Sequence, residues 1–444
     1  DANVPTPVAG NHSFATISTA NSHACGVTTG GQGYCWGENS NGRLGDGTQT
    51  DRPTPTLVTG GHTWSHIVTA NPGSCGLRTD GRVLCWGLAS VNGRGIDGPA
   101  GDTNLPSLIA SDETFTHIAS NGAAHVCAIA TTGQAWCWGS NSVGQLGNGT
   151  TGGATVNTPV AVAGGHQFTE IFVGFDVTCA LKADGSAWCW GSGTSGQLGN
   201  GSNSNSSVPV RVSGSELFRS LSTRGPHVCG VTTGNALFCW GSNADGALGT
   251  GATPQQVNVP TAVNTGMQFG GVAAGWGFTC AYTTAGVGHC WGFQGAGQLG
   301  NGQWSRRFEP TRVAGTQTWT GIWSRFGQTC AVRADGQGYC WGDEIGATPT
   351  ALPILFNVNV ATFALGNGHI CYLVGQQARC WGVGVLGQLG SNSLTSSSTP
   401  VTVAGGHNFT QLVAGLAFTC GLRTDGRAFC WGAGAAGQRG DGMA

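Results

Sequence analysis

Apolar and polar residues alternate in short runs along this chain, and glycine, proline, asparagine or aspartate bounds the runs. Residues 53–87 show the pattern in full. Pro53-Thr-Pro55 leads to Val58, Gly60-Gly61-His62-Thr63-Trp64 leads to Ile67, and Cys75-Gly-Leu77 turns back into Val83-Leu-Cys85-Trp86-Gly87. A period of two between turn residues predicts half-buried β-strands, four short ones per unit. No stretch reads as a helix of normal length, and no apolar run approaches the roughly 18 residues of a membrane helix.

The unit repeats. Cys-Trp-Gly begins at Cys35, Cys85, Cys137, Cys189, Cys239, Cys290, Cys340, Cys380 and Cys430. Each copy follows a second cysteine, namely Cys25, Cys75, Cys127, Cys179, Cys229, Cys280, Cys330, Cys371 and Cys420, so the two sets account for all 18 cysteines. In the second copy a three-residue loop, Thr79-Asp80-Gly81, would pair Arg78 with Arg82 and set Cys75 opposite Cys85. If 78/82 is hydrogen-bonded, 75/85 is a non-hydrogen-bonded pair with alpha carbons roughly 4.5 Å apart, within disulfide reach. Ala183-Asp184-Gly185, Ala334-Asp335-Gly336 and Thr424-Asp425-Gly426 fit the same reading. Cys371 and Cys380 are one residue closer than the other pairs, and there the turn is Gly375-Gln376. A glycine-first two-residue II′ loop pairs Val374 with Gln377 and restores the same parity. Spacing and turn type change together, which predicts nine cross-strand disulfides.

A repeat of about fifty residues points to one architecture over residues 1–444. Its units run approximately 5–50, 51–104, 105–156, 157–206, 207–256, 257–307, 308–350, 351–397 and 398–444. Four-stranded units in series describe a β-propeller. Pro5-Thr-Pro7-Val8 is the segment that follows the glycine loop in the other repeats, and the last repeat stops just after Gly437-Gln438-Arg439-Gly440-Asp441-Gly442. The N-terminal strand is therefore expected to complete the ninth blade and close the ring.

Charged residues are 9% of the chain against a usual level of about 25%, the net charge is −2, and Lys182 is the one lysine. A phosphate-binding surface needs clustered cations, so the composition argues against nucleic acid as a partner. Paired cysteines belong in an oxidising compartment. Zinc is the alternative use of the thiols; His23, His125, His227 and His369 sit two before the first cysteine of four copies, but five copies lack them. The chain opens at Asp1 without a signal-peptide pattern and reads as a mature protein, secreted, periplasmic or displayed on the cell surface. Asn11, Asn148, Asn200, Asn205 and Asn408 stand in glycosylation sequons, tripeptides that chance also supplies.

The Cys-Trp-Gly ending, the loop Gly144-Gln145-Leu146-Gly147-Asn148-Gly149-Thr150 with its copies at Gly196, Gly297 and Gly387, and the His-x-Cys of the second strand resemble the bacterial, secreted version of the regulator of chromosome condensation repeat. The resemblance covers the whole chain. It implies an all-β, closed propeller; family members are mostly seven-bladed, so nine repeats imply either nine blades or a seven-bladed ring with extra repeats. The family also includes a nuclear exchange factor for a small GTPase, a role at odds with disulfides and low charge, and a secreted bacterial inhibitor of beta-lactamase that binds through aromatic residues.

Catalytic motifs are nearly absent. Gly191-Ser-Gly193-Thr-Ser-Gly196 matches a dinucleotide fingerprint but opens the standard loop of its repeat, where no helix follows, so it reads as a turn. Asp46, Asp97 and Asp441 share a loop position with Asn148, Asn200 and Asn301, where a short polar side chain caps its own turn. The tryptophans from Trp36 to Trp431 read as packing residues. No catalytic residue, cofactor or metal site is expected. Repeat seven departs most, gathering Trp304, Arg306, Arg307, Arg312, Trp319, Trp323, Arg325 and Arg333, residue types enriched at interface hot spots. Trp304, Arg306, Arg307, Trp323 and Arg325 are the candidate partner-binding residues, beside the plain reading of a solvated rim. The function expected is that of a binding or structural module, with a subunit of a larger envelope or surface assembly and an inhibitor of a secreted enzyme as alternatives, and a GTPase exchange factor or hydrolase behind them.

Overall fold

The computed structural model describes residues 2–443 apart from 21, 71–72, 88–102, 110, 112, 120–124, 153–155, 224, 252–253, 264–265, 296, 304, 316–317, 326–327, 335, 343–347 and 354–359. Within these residues the chain forms 36 strands in nine four-stranded antiparallel sheets and no helix. Blade 1 comprises Phe14–Thr19, His23–Thr28, Gly33–Gly37 and Arg52–Leu57, in that order from one edge to the other. The next seven sheets repeat this order. Blade 9 comprises Phe409–Ala414, Phe418–Arg423 and Ala428–Gly432 and takes Ala2–Pro7 as its fourth strand. The expected closure by the N-terminal strand and the nine-blade count both hold; the seven-bladed alternative does not.

All nine hairpins carry their bridge. Cys75 pairs with Cys85 in register, Arg78 N donates to Arg82 O at 2.7 Å, and the two alpha carbons are 4.1 Å apart. In the short copy Val374 pairs with Gln377 and Cys371 with Cys380, at a Cα distance of 4.2 Å. Gly375 has φ +57° and Gln376 is not in the left-handed region, as a II′ turn requires. No cysteine is free.

First strands of neighbouring blades pack on one another and line the central channel, while fourth strands form the outer edge. The core lies between blades. Leu44, Val58 and the Cys25–Cys35 bridge of blade 1 meet Trp64, Ile67, Leu84 and Trp86 of blade 2 in one buried cluster, and the other joints follow suit. The tryptophan of each Cys-Trp-Gly is at most 2% exposed. Large rings buried this way dominate the cohesion of the ring, and truncation to alanine typically costs about 3–5 kcal/mol each.

A polar relay crosses the same joints. Trp86 Nε1 donates to Arg43 O of blade 1 at 2.8 Å, and Ser74 Oγ donates to the same carbonyl at 3.1 Å. The hydroxyl then accepts from His23 Nε2 at 2.9 Å. His125 to Thr178 and His227 to Thr279 repeat the contact at 2.8 Å, and His369 to Thr419 at 2.9 Å, each reaching the next blade. The four histidines are thus fully buried interblade links.

The capping loops also form as expected. Oδ1 of Asp46, Asn148, Asn200, Asn301 and Asp441 accepts the backbone N–H two residues on, at 3.0–3.2 Å. Asp97 lies outside the described residues. Gly191, with φ +99°, ends a strand, and Gly196 N returns to Gly193 O at 2.7 Å, so that glycine run is a turn.

Candidate protein-binding surface at the channel mouth

In blades 4, 6, 8 and 9 the first two strands are joined by a tight turn at one mouth of the channel. Gly174 N donates to Val177 O and Gly275 N to Phe278 O, both at 2.8 Å, which places Phe175 and Trp276 at the first turn position. Asn367 and Leu416 hold that position in blades 8 and 9. The aromatic pair is the departure. Phe175 is 58% and Trp276 62% exposed, and their rings meet edge-on at 6.2 Å although blade 5 stands between them. In blade 5 Gly225 lies there, at φ +98°, where an added Cβ would lie 3.0 Å from Gly275 O.

The patch continues outward along polar residues. Gly277, next to Trp276, lies against Asp245 and Phe293, and Asp245 pairs with Arg306 at 3.4 Å. Asp176, beside Phe175, has its carboxyl held above the usual range by partial burial. Inward, the first strands of blades 5 to 8 (Phe218–Ser222, Phe269–Ala274, Trp319–Arg325 and Val360–Leu365) form the adjoining channel wall. Trp323 stands on this wall, 47% exposed, with its ring 5.9 Å from Phe363.

The five candidate residues of the seventh repeat divide between two places. Arg306 and Arg307 enter the outer strand of blade 6, where Arg307 pairs with Gly292, while Trp323 and Arg325 belong to the inner strand of blade 7. Trp304 and the 343–347 loop lie outside the described residues, as does the side chain of Arg325. Arg306 reaches the mouth through Asp245, so two of the five, Arg306 and Trp323, fall on one side of it. Phe175 and Trp276 were not singled out in the sequence; their signal was an aromatic after the glycine that ends the inner strand. Among the described residues no three His, Cys, Asp or Glu side chains are arranged to hold a metal, and no helix is long and apolar enough to cross a membrane.

A closed, disulfide-stapled propeller with an aromatic mouth defines a class of repeat scaffold. Models of the regulator of chromosome condensation (RCC1) repeat match residues 30–74, 132–181, 184–236 and 235–282, and a second model of that repeat matches 115–145, 168–197 and 409–438. The chain belongs to the RCC1 repeat family. It is 28% identical over 196 residues to the mitochondrial RCC1 domain-containing protein RUG3 of Arabidopsis thaliana, covering 44% of this chain and 34% of that protein. It is 29% identical over 116 residues to human E3 ubiquitin-protein ligase HERC2, covering 24% of this chain and 2% of that protein. The chain thus spans a minor part of both. The Ultraviolet-B receptor UVR8 of Arabidopsis thaliana is 28% identical over 349 residues, covering 73% of this chain and 78% of the receptor. Human WBSCR16 superposes with a TM-score of 0.59 at 16% identity over 90% of this chain and 99% of its own. Yeast RCC1 (Prp20), in a complex with Kap60, gives 0.55 at 15% identity over 99% and 95%. The likeness to these two structures is one of fold.

Proposed function

We propose that this chain is a non-catalytic binding module, exported to an extracytoplasmic space, which captures a protein through the channel mouth of blades 4 to 6. The exposed Phe175–Trp276 pair carries the reading. Two large aromatics held in contact but left open to solvent, with the Asp245–Arg306 pair beside them, match the aromatic and arginine anchors of interface hot spots. Nine intrachain disulfides suggest an oxidising compartment and support the exported location. Yeast RCC1, bound to Kap60, sets a precedent for protein binding by this fold.

The oxidised wild-type chain and a Phe175→Ser/Trp276→Ser variant, immobilised side by side, test the proposal against extracellular proteins of the source. A partner should be retained by the wild type and weakened at least about tenfold by the variant, as loss of a hot spot predicts. Equal capture by two baits with matching melting curves would place binding elsewhere. A second reading, a subunit of a larger surface assembly, draws on exposed Leu57, Leu105 and Leu108 along the outer edges of blades 1 and 2. Light scattering decides it: a concentration-independent monomer removes self-assembly through these edges.

A further inference from the structure

The inner strand of blade 7 combines two residues that touch each other, Gly321 and Trp323. Opposite the first cysteine of each hairpin stands Ser, Ala or Val in seven blades and Phe172 in blade 4, whereas blade 7 places Trp323 opposite Cys330. Two residues earlier on the same face, where blades 1 to 5 carry Thr16, His66, His117, Glu170 and Ser220, blades 6 and 7 have Gly271 and Gly321. A Cβ at Gly321 would lie 2.6 Å from Trp323 Cη2. The six-membered end of the indole therefore lies against Gly321, and the Phe363 ring stands 5.9 Å from the indole between centroids. A side chain at 321 would displace the ring.

The ring so held is the platform of a recess of about 420 Å³ that spans the inner strands of blades 5 to 8. Ala273 and Ala274 give it depth, Val272, Ile322 and Leu365 make it apolar, and none of the ten described residues that line it is charged. Its polar side-chain groups are the indole and the hydroxyls of Ser222 and Ser324. Ser222 Oγ accepts from Ala274 N at 2.9 Å, which leaves its own proton to donate. The volume falls within the range of small-molecule sites, and the recess opens broadly to the channel with few oriented polar side chains. A charged ligand would lose hydration here and gain no counter-charge from these ten residues.

We infer that this recess binds a neutral, planar, largely apolar small molecule, stacked on Trp323 with one acceptor atom against Ser222. The site is separate from the rim pair proposed to hold a protein. N-phenyl-1-naphthylamine, a neutral fluorescent probe, titrated into the oxidised full-length chain should bind saturably at one site with a Kd on the order of 1–100 μM. Trp323→Ala removes the platform and Ala273→Leu fills the recess while keeping the platform, so each should weaken binding at least about tenfold. The rim variant Trp276→Ala should bind as the wild type does. 1-Anilinonaphthalene-8-sulfonate, the same ring system with a sulfonate, should bind more weakly. The inference is overturned by non-saturable binding, by unchanged affinity in both channel variants with intact melting curves, by loss in Trp276→Ala alone, or by a sulfonate analogue that binds as tightly as the neutral probe.

Discussion

His227 donates Nε2–H to Thr279 Oγ1 because that hydroxyl has already given its proton to Ala247 O, at 2.8 Å. The ring is therefore the neutral Nε2–H tautomer, and its buried Nδ1, like those of His23 and His125, finds no hydrogen-bond partner among the described residues. A second proton would sit on that nitrogen, out of reach of water. Burial accordingly lowers the imidazole pKa from 6.5 to about 3 at His23, where Arg43 adds to the effect, and to about 4 at His125 and His227. A histidine with its folded pKa below its unfolded one binds protons more readily when unfolded. Its stabilisation is complete above pH 6.5 and is lost as the pH falls from there toward the folded value, at roughly 1.4 kcal/mol per pH unit for each ring. Melting temperature should thus decline with acid well before the carboxylates of Glu38 and Asp46 titrate, since both are held below their ordinary range. Partly buried His66 and His407, also lowered, act in the same direction. The measurement that isolates the relay is denaturant unfolding of His125→Gln/His227→Gln between about pH 7 and 5. Glutamine can still donate to threonine but does not titrate, so the slope should flatten; a slope equal to that of the wild type would remove the histidines as its source.

The hairpin is the element the sequence states most openly. Its cysteines are ten residues apart, the turn between them is readable, and parity alone sets them face to face. Each bridge closes a loop of nine or ten residues, which in the chain-entropy account stabilises by about 3 kcal/mol. Cys75→Ala/Cys85→Ala should lose roughly that amount in urea, and full reduction should lower the melting temperature much further. A reductant-insensitive melt would mean that the buried tryptophans alone hold the ring. Outer strands carry a second readable device. In eight of them the residue before the one paired with the second cysteine is proline, as at Pro55, Pro106 and Pro260, and it blunts an exposed edge against pairing with other chains. Blade 7 has Ala351 at that place. The contacts of the candidate site were less legible. Phe175 and Trp276 are a hundred residues apart, and Arg306, just before the outer strand of blade 6, and Trp323, on the inner strand of blade 7, are near in sequence but belong to different blades. Local periodicity fixes each strand pair, but only the closed ring decides which strand ends share the mouth.

At the scale of the ring, blades alternate between two kinds. Blades 1, 3, 5 and 8 bring the histidine, and blades 2, 4, 6 and 9 bring the hydroxyl that receives it. An odd ring cannot alternate throughout, and the break falls at blade 7, where Gln328-Thr329 precedes the cysteine and the channel platform is found. The seam between blades 9 and 1 is, by contrast, ordinary. Trp36 Nε1 donates to Gln438 O at 3.1 Å, and Ala9 N to Gly440 O at 2.8 Å, as at covalently continuous joints. The fourth strand of blade 9 pairs Ala2 with Gly432 and Thr6 with Cys430, just as blade 1 pairs Arg52 with Gly37 and Thr56 with Cys35.

This equivalence makes the position of the chain break a matter of indifference to the folded ring, provided that every blade receives its fourth strand. Four residues separate Gly47 from Arg52 in blade 1. Three would separate Gly442 from Ala2 if the termini were joined directly, so one added glycine reproduces the linker. A circular permutant with that linker, opened between Thr50 and Asp51, should keep its denaturation free energy to within about 1 kcal/mol, because it exchanges one closing strand for another of the same kind. Deleting residues 1–9 should behave differently. It removes the Thr6 Oγ1–Cys430 O hydrogen bond of 2.9 Å and the Val8 N–Ala428 O bond of the same length, takes the Val8 side chain out of the blade 9/1 core, and leaves the third strand of blade 9 as an unprotected edge. Several kcal/mol should be lost, with edge-mediated dimers appearing in size-exclusion chromatography. A permutant as unstable as the truncation would show that closure at blade 9 is special, and that the nine joints are not the interchangeable units their geometry describes.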